Sequence, residues 1–179
     1  MRKVLWVLGP ATFLLCCTTC VAQSFPKPGP EHERLRKMEG TWDVVMSFPG
    51  NMKAKGKMTC KMECGGLWLM RDTESKFGGL VTHVKALDGY DPVKKKYVSV
   101  QLDSMTTVPM VLEGELDGRT NKLTMTGQAR DFDGSPEQVK IVRKHVDDDH
   151  QSVEAYRVYP DGKEAKQLSI EYNRIEDSK

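Results

Sequence analysis

From Thr41 onward, apolar and polar residues alternate with a period of two, and turn residues interrupt this pattern at short intervals. In segment 57–64, methionine and cysteine alternate with lysine, threonine and glutamate (KMTCKMEC). Such alternation is typical of β-strands that bury one face. It predicts about ten short strands joined by hairpins, at 42–48, 57–64, 67–74, 80–87, 97–102, 110–116, 123–129, 139–146, 153–159 and 168–175.

The order of these segments favours a closed sheet. The sequence contains no internal repeat and no helical crossover between the predicted strands. A meander of so many strands keeps two exposed edges unless its first and last strands pair. We therefore predict an all-β fold, an antiparallel up-and-down β-barrel of about ten strands.

The segment before the first strand has the features of a short helix at 31–39. Pro30 precedes it, acidic residues occupy its first turn, and Gly40 ends it. Leu35 and Met38 give it a narrow apolar stripe. We expect this N-terminal helix to cover one end of the barrel.

The start of the chain resembles an export signal. Arg2 and Lys3 precede an apolar stretch at 4–15, and small residues follow as far as Ala22. This order predicts a signal peptide at 1–22, cleaved after Ala22, and hence a periplasmic or secreted protein. An extended leader at 23–30 and a single β-barrel domain at 31–179 follow. The apolar stretch is shorter than the ~20 residues that span a bilayer, so we expect no membrane span after cleavage.

Cleavage would change the charge of the protein. Arg2 and Lys3 are the charged residues of the predicted signal, and without them the 27 basic residues fall to the number of acidic ones, 25. A neutral chain lacks the basic field that concentrates nucleic acid. We therefore expect no nucleic-acid partner.

Three of the five cysteines also belong to the predicted signal, which leaves Cys60 and Cys64. Four residues of extended strand separate two side chains by ~13 Å, which is beyond the reach of a disulfide. We expect two buried free thiols. With Met58 and Met62 they present sulfur atoms that suit a soft metal, but ordinary core packing explains the same alternation. We predict no metal site.

Two motifs carry a family resemblance. The sequence Gly40-Thr41-Trp42, at the junction of the predicted helix and first strand, resembles the opening of lipocalins and related calycin-like barrels. The string 88–98 (DGYDPVKKKYV), with 103–105 (DSM) and 113–114 (EG), resembles the bacterial domain-of-unknown-function family 1579. The resemblance covers roughly residues 30–173. It implies a calycin-like barrel, a secreted bacterial protein and an end of the barrel closed by Trp42. It implies no established activity and no catalytic residues.

Polar residues in phase with apolar ones on the last three predicted strands form the candidate ligand site. If the apolar residues of these strands face inward, the polar ones line one end of the same interior. An arginine beside a tyrosine inside a barrel offers a guanidinium fork to a carboxylate. The candidate ligand-binding residues are Arg143, His145, Arg157, Tyr159 and Tyr172, and Arg174 follows in the same phase.

Other chemistry has weaker support in the sequence. His83 or His145 as a haem ligand would make this a haem-binding barrel, but neither lies in a recognisable haem motif. We find no phosphate-binding glycine loop, no nucleophile elbow and no catalytic constellation, so enzymatic activity is left open. We predict no cofactor.

The leading hypothesis is a secreted binding module for a small apolar or anionic ligand inside the barrel. The main alternative is a solid barrel, filled by side chains such as Trp42, Trp68 and Phe48, that acts as a structural or protein-interaction domain. A haem-binding barrel is the other alternative. The sequence leaves the oligomeric state open.

Overall fold

The computed structural model describes residues 25–131 and 134–175, and the predicted signal peptide at 1–22 lies outside them. A helix and ten strands follow one another along the described chain. They are α1 (Pro30–Arg36), β1 (Gly40–Ser47), β2 (Lys53–Glu63), β3 (Trp68–Phe77), β4 (Leu80–Asp91), β5 (Lys96–Asp103), β6 (Met110–Asp117), β7 (Lys122–Arg130), β8 (Pro136–His145), β9 (His150–Val158) and β10 (Glu164–Ile175).

The strands form a closed antiparallel barrel in which each one pairs with its neighbours along the chain. Closure comes from β1, where Trp42 lies opposite Met58 of β2 on one side and opposite Arg174 of β10 on the other. Because the first and last strands pair, the sheet has no free edge. The predicted all-β barrel of ten strands is confirmed.

Glycines allow the backbones of β6 and β7 to approach each other closely. A Cβ on Gly114 would lie 1.9 Å from the backbone oxygen of Thr124, and one on Gly127 would lie 2.0 Å from that of Val111. No side chain fits at such distances, so the two strands meet there backbone to backbone.

The helix is shorter than predicted, because α1 ends at Arg36 instead of residue 39. Beyond it the chain tightens: the amide of Met38 donates to the carbonyl of Leu35 at 3.0 Å, and that of Glu39 to Arg36 at 2.9 Å. These three-residue bonds turn the chain into β1. Among the described residues, no helix is long and apolar enough to cross a membrane.

The barrel has two different ends. The first, which we call the helix end, carries the turns that lead into β3, β5, β7 and β9, and α1 packs there against β2, β3 and β4. The second, which we call the open end, carries the turns that lead into β2, β4, β6, β8 and β10. Since neighbouring strands are antiparallel, the last residues of one strand lie at the same end as the first residues of the next.

Trp42 and Arg174 close the helix end. The indole of Trp42 is fully buried and donates to the carbonyl of Met38 at 3.0 Å. The Arg174 guanidinium lies over this ring, 4.2 Å from its centroid, and donates to the carbonyls of Glu39 and Lys37 at 2.5 and 2.8 Å. Aromatic stacking and bonds to carbonyls near the end of α1 therefore tie helix, first strand and last strand together.

Two expectations about side-chain burial are wrong. Cys60 is buried, but Cys64 is exposed, because β2 ends at Glu63 and the next residue turns with a positive φ of 51°. Trp68 does not fill the barrel, since its neighbours Leu69 and Arg71 face inward and it faces outward, against Gly89.

Candidate ligand-binding site

A cavity of about 900 Å³ occupies the half of the barrel nearer the open end. Its walls are apolar side chains of β6 and of the last three strands, which are Met110, Val139, Ile141, Val153, Ala155, Leu168 and Ile170. The turn between β5 and β6 lines its mouth with residues 103–108. The space is large enough to accept a small organic molecule.

The floor of this cavity carries a buried charged cluster centred on Asp88 of β4. Oδ2 of Asp88 lies 2.7 Å from Nε of Arg71 and 2.7 Å from Nη1 of Arg143. Oδ1 accepts from Oγ of Ser99 at 2.6 Å and from Nη2 of Arg71 at 3.3 Å. The side chains of both arginines are 9% exposed and that of Asp88 is 2% exposed. The three ionic groups are therefore out of bulk water.

The cluster holds more positive than negative charge. Burial by itself would raise the pKa of Asp88, but Arg143 and Arg71 outweigh it and hold that pKa well below its usual range. Burial would lower the pKa of Arg71, and Asp88 more than restores it. Two guanidinium ions therefore face one carboxylate, and the floor keeps one positive charge that no described neighbour neutralises.

Both arginines also have an N–H group that makes no hydrogen bond to a described residue. Nε of Arg143 is buried without a hydrogen-bond partner among the described residues. Nε of Arg71 lies close to Asp88, but its N–H does not point at the carboxylate, so the contact is an ion pair and not a directional hydrogen bond. Tyr172 lies beside them, and burial raises the pKa of its hydroxyl. The floor therefore presents donors in excess of acceptors.

The mouth of the cavity also carries charged groups, but there the acidic groups around Arg157 outnumber the basic one. Arg157 of β9 donates through Nη2 to Asp131 at 2.6 Å and through Nε to Glu137 at 2.5 Å. Its side chain is 30% exposed, so water screens this group more than the floor. With two carboxylates on one guanidinium, the mouth does not add positive charge to the cavity.

The residues predicted to form one site are divided between the two ends. Arg143 and Tyr172 come together at the floor, whereas Arg157 lies at the mouth. Tyr159 follows the end of β9, is 43% exposed and does not line the cavity. His145 lies at the helix end, near Asp148. The expectation that all five line one end is wrong, because the late residues of β8 and of β9 lie at opposite ends of antiparallel strands.

Sequence reasoning missed three members of the floor, which are Arg71, Asp88 and Ser99. The alternation that located the other candidates could have found two of them. Arg71 lies two residues after Leu69, and Asp88 lies two residues after Ala86, so each shares the inward face of its strand with a buried apolar residue. Asp88 directly follows the predicted strand at 80–87 and precedes Gly89, and an Asp-Gly pair favours a hairpin turn. It lies within β4 instead.

The histidines do not support the haem alternative in this cavity. His83 is exposed on the outer face of β4, and His150 pairs with Asp147 at the turn before β9. His32 belongs to α1, where its Nδ1 accepts from the amide of Gly29 at 3.0 Å. With His145 at the helix end, none of the four lines the large cavity. The described residues also contain no cluster of histidine, cysteine and acidic side chains suited to a metal ion.

Comparison with known proteins identifies the fold. The family model described as "Protein of unknown function (DUF1579)" matches residues 27–174. The crystal structure of Rv2717c from M. tuberculosis is similar, with a TM-score of 0.59 and 12% identity over 82% of this chain and 98% of that one. A redesigned β-barrel, mFAP0, bound to DFHBI, has a TM-score of 0.42 and 12% identity over 77% and 99% of the two chains. No curated protein sequence matches the chain.

Proposed function

This chain is a member of the DUF1579 family, and from the site in its barrel we propose that it binds a small ligand with an apolar body and an anionic group. The anionic group would lie against Arg143 and Arg71 at the floor, and the apolar body would lie between the walls. The unneutralised buried positive charge is the observation that carries this proposal.

The electrostatic argument concerns where that charge lies. A buried ion costs several kcal/mol of desolvation unless an opposite charge and hydrogen bonds compensate it. Asp88 compensates one of the two arginines, and an anion in the cavity would compensate the other. A carboxylate or phosphate would also accept a hydrogen bond from Nε of Arg143, which has no partner.

The distribution of bulky side chains favours this proposal over a solid barrel. The largest fully buried side chains include Trp42, Met58, Leu69 and Met125. None of these four side chains lines the large cavity, so the half of the barrel nearer the open end is left unfilled by them. A barrel that served only as a scaffold would have no need of an apolar cavity that ends on an unbalanced arginine.

Export is part of the proposal. Segment 1–22 has the order of a signal peptide, so the mature chain would begin at Gln23 outside the cytoplasm. The intact mass and N-terminal sequence of protein purified from its source organism test this. A mature chain that retains Met1 or the 4–15 segment would contradict export by a cleaved signal.

Titration with three matched probes tests the binding site. We expect dodecanoate to bind at least about tenfold more tightly than dodecanol, which corresponds to ~1.4 kcal/mol, and dodecylamine to bind worst. Ala155→Phe places a ring in the cavity and should abolish dodecanoate binding. Thr126→Phe, at an exposed position of β7 outside the cavity lining, is the control and should bind as the wild type does. Equal affinity for the three probes, or full binding by Ala155→Phe, would overturn the proposal.

A further inference from the structure

A second and smaller cavity, of about 290 Å³, lies at the helix end between α1 and the strands. Leu35, Met38 and Leu123 supply its apolar surface, and it does not include the walls of the large cavity. Its polar lining includes Arg34 of α1 and Arg143, His145 and Gln151 of β8 and β9.

Two buried donors of this lining have no partner. Gln151 is 3% exposed, and its Nε2 makes no hydrogen bond within the described chain. Arg143 reaches this cavity too, and its Nε is equally unpaired. Buried polar atoms without partners are rare because each costs free energy, so two on one cavity indicate a ligand that accepts hydrogen bonds.

The charges around the cavity favour an anion. Arg34 is half-buried and donates to Oδ1 of Asn121 at 2.5 Å, and Lys37 lies on the rim. Glu33 is the one acidic residue in the described lining, and its carboxylate lies 3.4 Å from Nε of Arg36. Basic side chains therefore outnumber acidic ones in this lining, as they do at the floor of the large cavity.

We propose that this cavity is a second binding site, for a small oxyanion such as phosphate or a short carboxylate, held by Gln151, Arg143 and Arg34. An oxyanion offers acceptors without donors, which matches the two buried N–H groups of this lining that have no partner among the described residues, Nε2 of Gln151 and Nε of Arg143. The volume is about a third of that of the large cavity, so we expect the two cavities to take molecules of different size.

Arg143 links the two sites, since it lines both cavities. A further consequence rests on the proposed function: an anion in one cavity uses the positive charge that would attract an anion to the other. Binding at the two sites is then negatively coupled, and the coupling is equal in both directions. We expect phosphate to weaken dodecanoate binding about fivefold or more.

The side-chain N–H signals of Arg143 and Gln151 test the oxyanion site directly. We expect ¹H–¹⁵N spectra of the wild-type protein to show both signals shifting in a saturable way with phosphate and with acetate. Sodium chloride at matched ionic strength is the control and should leave them in place. No saturable shift up to about 20 mM of either anion would overturn the proposal.

Gln151→Leu sharpens this test, because it removes the unpaired amide and keeps an apolar side chain of similar size. Without anion, this variant should be more stable than the wild type, since the unpaired amide of Gln151 is no longer buried there. Phosphate should raise the melting temperature of the wild type but not that of Gln151→Leu. Gln138→Leu, at an exposed position of β8, is the matched control and should respond as the wild type does.

The two proposals fail separately. Ala155→Phe blocks the large cavity, and it should retain the phosphate-dependent shifts of Gln151 and Arg143. If those shifts persist while no variant or wild-type protein binds dodecanoate, the oxyanion site stands and the proposed function fails. If Gln151→Leu keeps the full phosphate response, the oxyanion site is wrong whatever dodecanoate does.

Discussion

The two ends of this barrel are built from the same ten strands but differ in what fills them. At the helix end, Trp42, Met58 and Leu69 are almost completely excluded from solvent, and Arg174 seals the junction with α1. At the open end, Ala155 and Ile170 face a cavity. Closure of the sheet gives the protein its shape. Unequal filling then divides it into a more tightly filled half, with one small cavity beside α1, and a half that can receive a larger ligand.

The charged floor at the boundary of the two halves gives the largest expected effect. Asp88→Asn leaves two buried guanidinium ions without their carboxylate and should cost about 3–5 kcal/mol of unfolding free energy in denaturant titrations. Arg143→Met should cost much less, because it leaves Arg71 and Asp88 as a neutral pair. An equal loss in the two variants would contradict an excess of positive charge at the floor.

Asp72→Asn is the control for that comparison, since Asp72 pairs with Lys85 at 2.5 Å on the exposed surface and should contribute less than about 1 kcal/mol. The effect of Asp88 also depends on pH. Its folded-state pKa is depressed, so its stabilisation is present above the usual aspartate range and is lost as the pH falls through that range and below it. The difference between the wild type and Asp88→Asn should therefore shrink in acid.

A matched pair of leucines compares the two halves directly. Leu69→Ala, at the helix end, removes a side chain with no exposed surface and should cost about 3–4 kcal/mol. Leu168→Ala, on the wall of the cavity, should cost about 1 kcal/mol, because that side chain already has open space on one face. Chemical unfolding of both variants measures the difference. Equal costs would mean that the open half is packed as tightly as the helix end.

The smallest expected effect concerns the buried thiol near the floor. Burial raises the pKa of Cys60 from 9.0 to about 12, so the folded protein keeps the neutral thiol while the unfolded chain ionises near pH 9. Stability should therefore fall by on the order of 1 kcal/mol between pH 8 and pH 10, and Cys60→Ala should remove that fall. Iodoacetamide should label exposed Cys64 in the folded protein and leave Cys60 unlabelled. Cys64→Ser is the control and should keep the pH dependence.

The alternation of residues was enough to predict the strands, and their succession in hairpins was enough to predict the closed barrel. The condition set for the last strands, that their apolar residues face inward, holds for Val139, Ile141, Val153 and Ala155, which line the cavity. A period of two reports the face of a strand, however, and not the height of a residue along the barrel. Arg157 and Arg143 share a face but lie at different heights, because pairing places Arg157 opposite Val139 and Arg143 opposite Val153.

The floor shows why a site made by distant segments is harder to find than a fold. Arg71, Asp88 and Arg143 are far apart in the chain, and each looks like an isolated polar residue within a strand. Only closure of the barrel places β3, β4 and β8 so that the three side chains meet across its interior. Asp88 was harder still, since an Asp-Gly pair favours a hairpin turn and here it continues β4.

Native mass spectrometry of the protein isolated from its own source is the most direct test of the central claim, that the open half binds a small anionic ligand against Arg143 and Arg71. We expect the wild-type protein to retain an acidic molecule of a few hundred daltons, at one per chain, that fits the cavity of about 900 Å³. Ala155→Phe purified in the same way should carry none, and Thr126→Phe should carry the same molecule. Wild-type protein that is free of adduct, and that also fails to take up dodecanoate, would contradict the account.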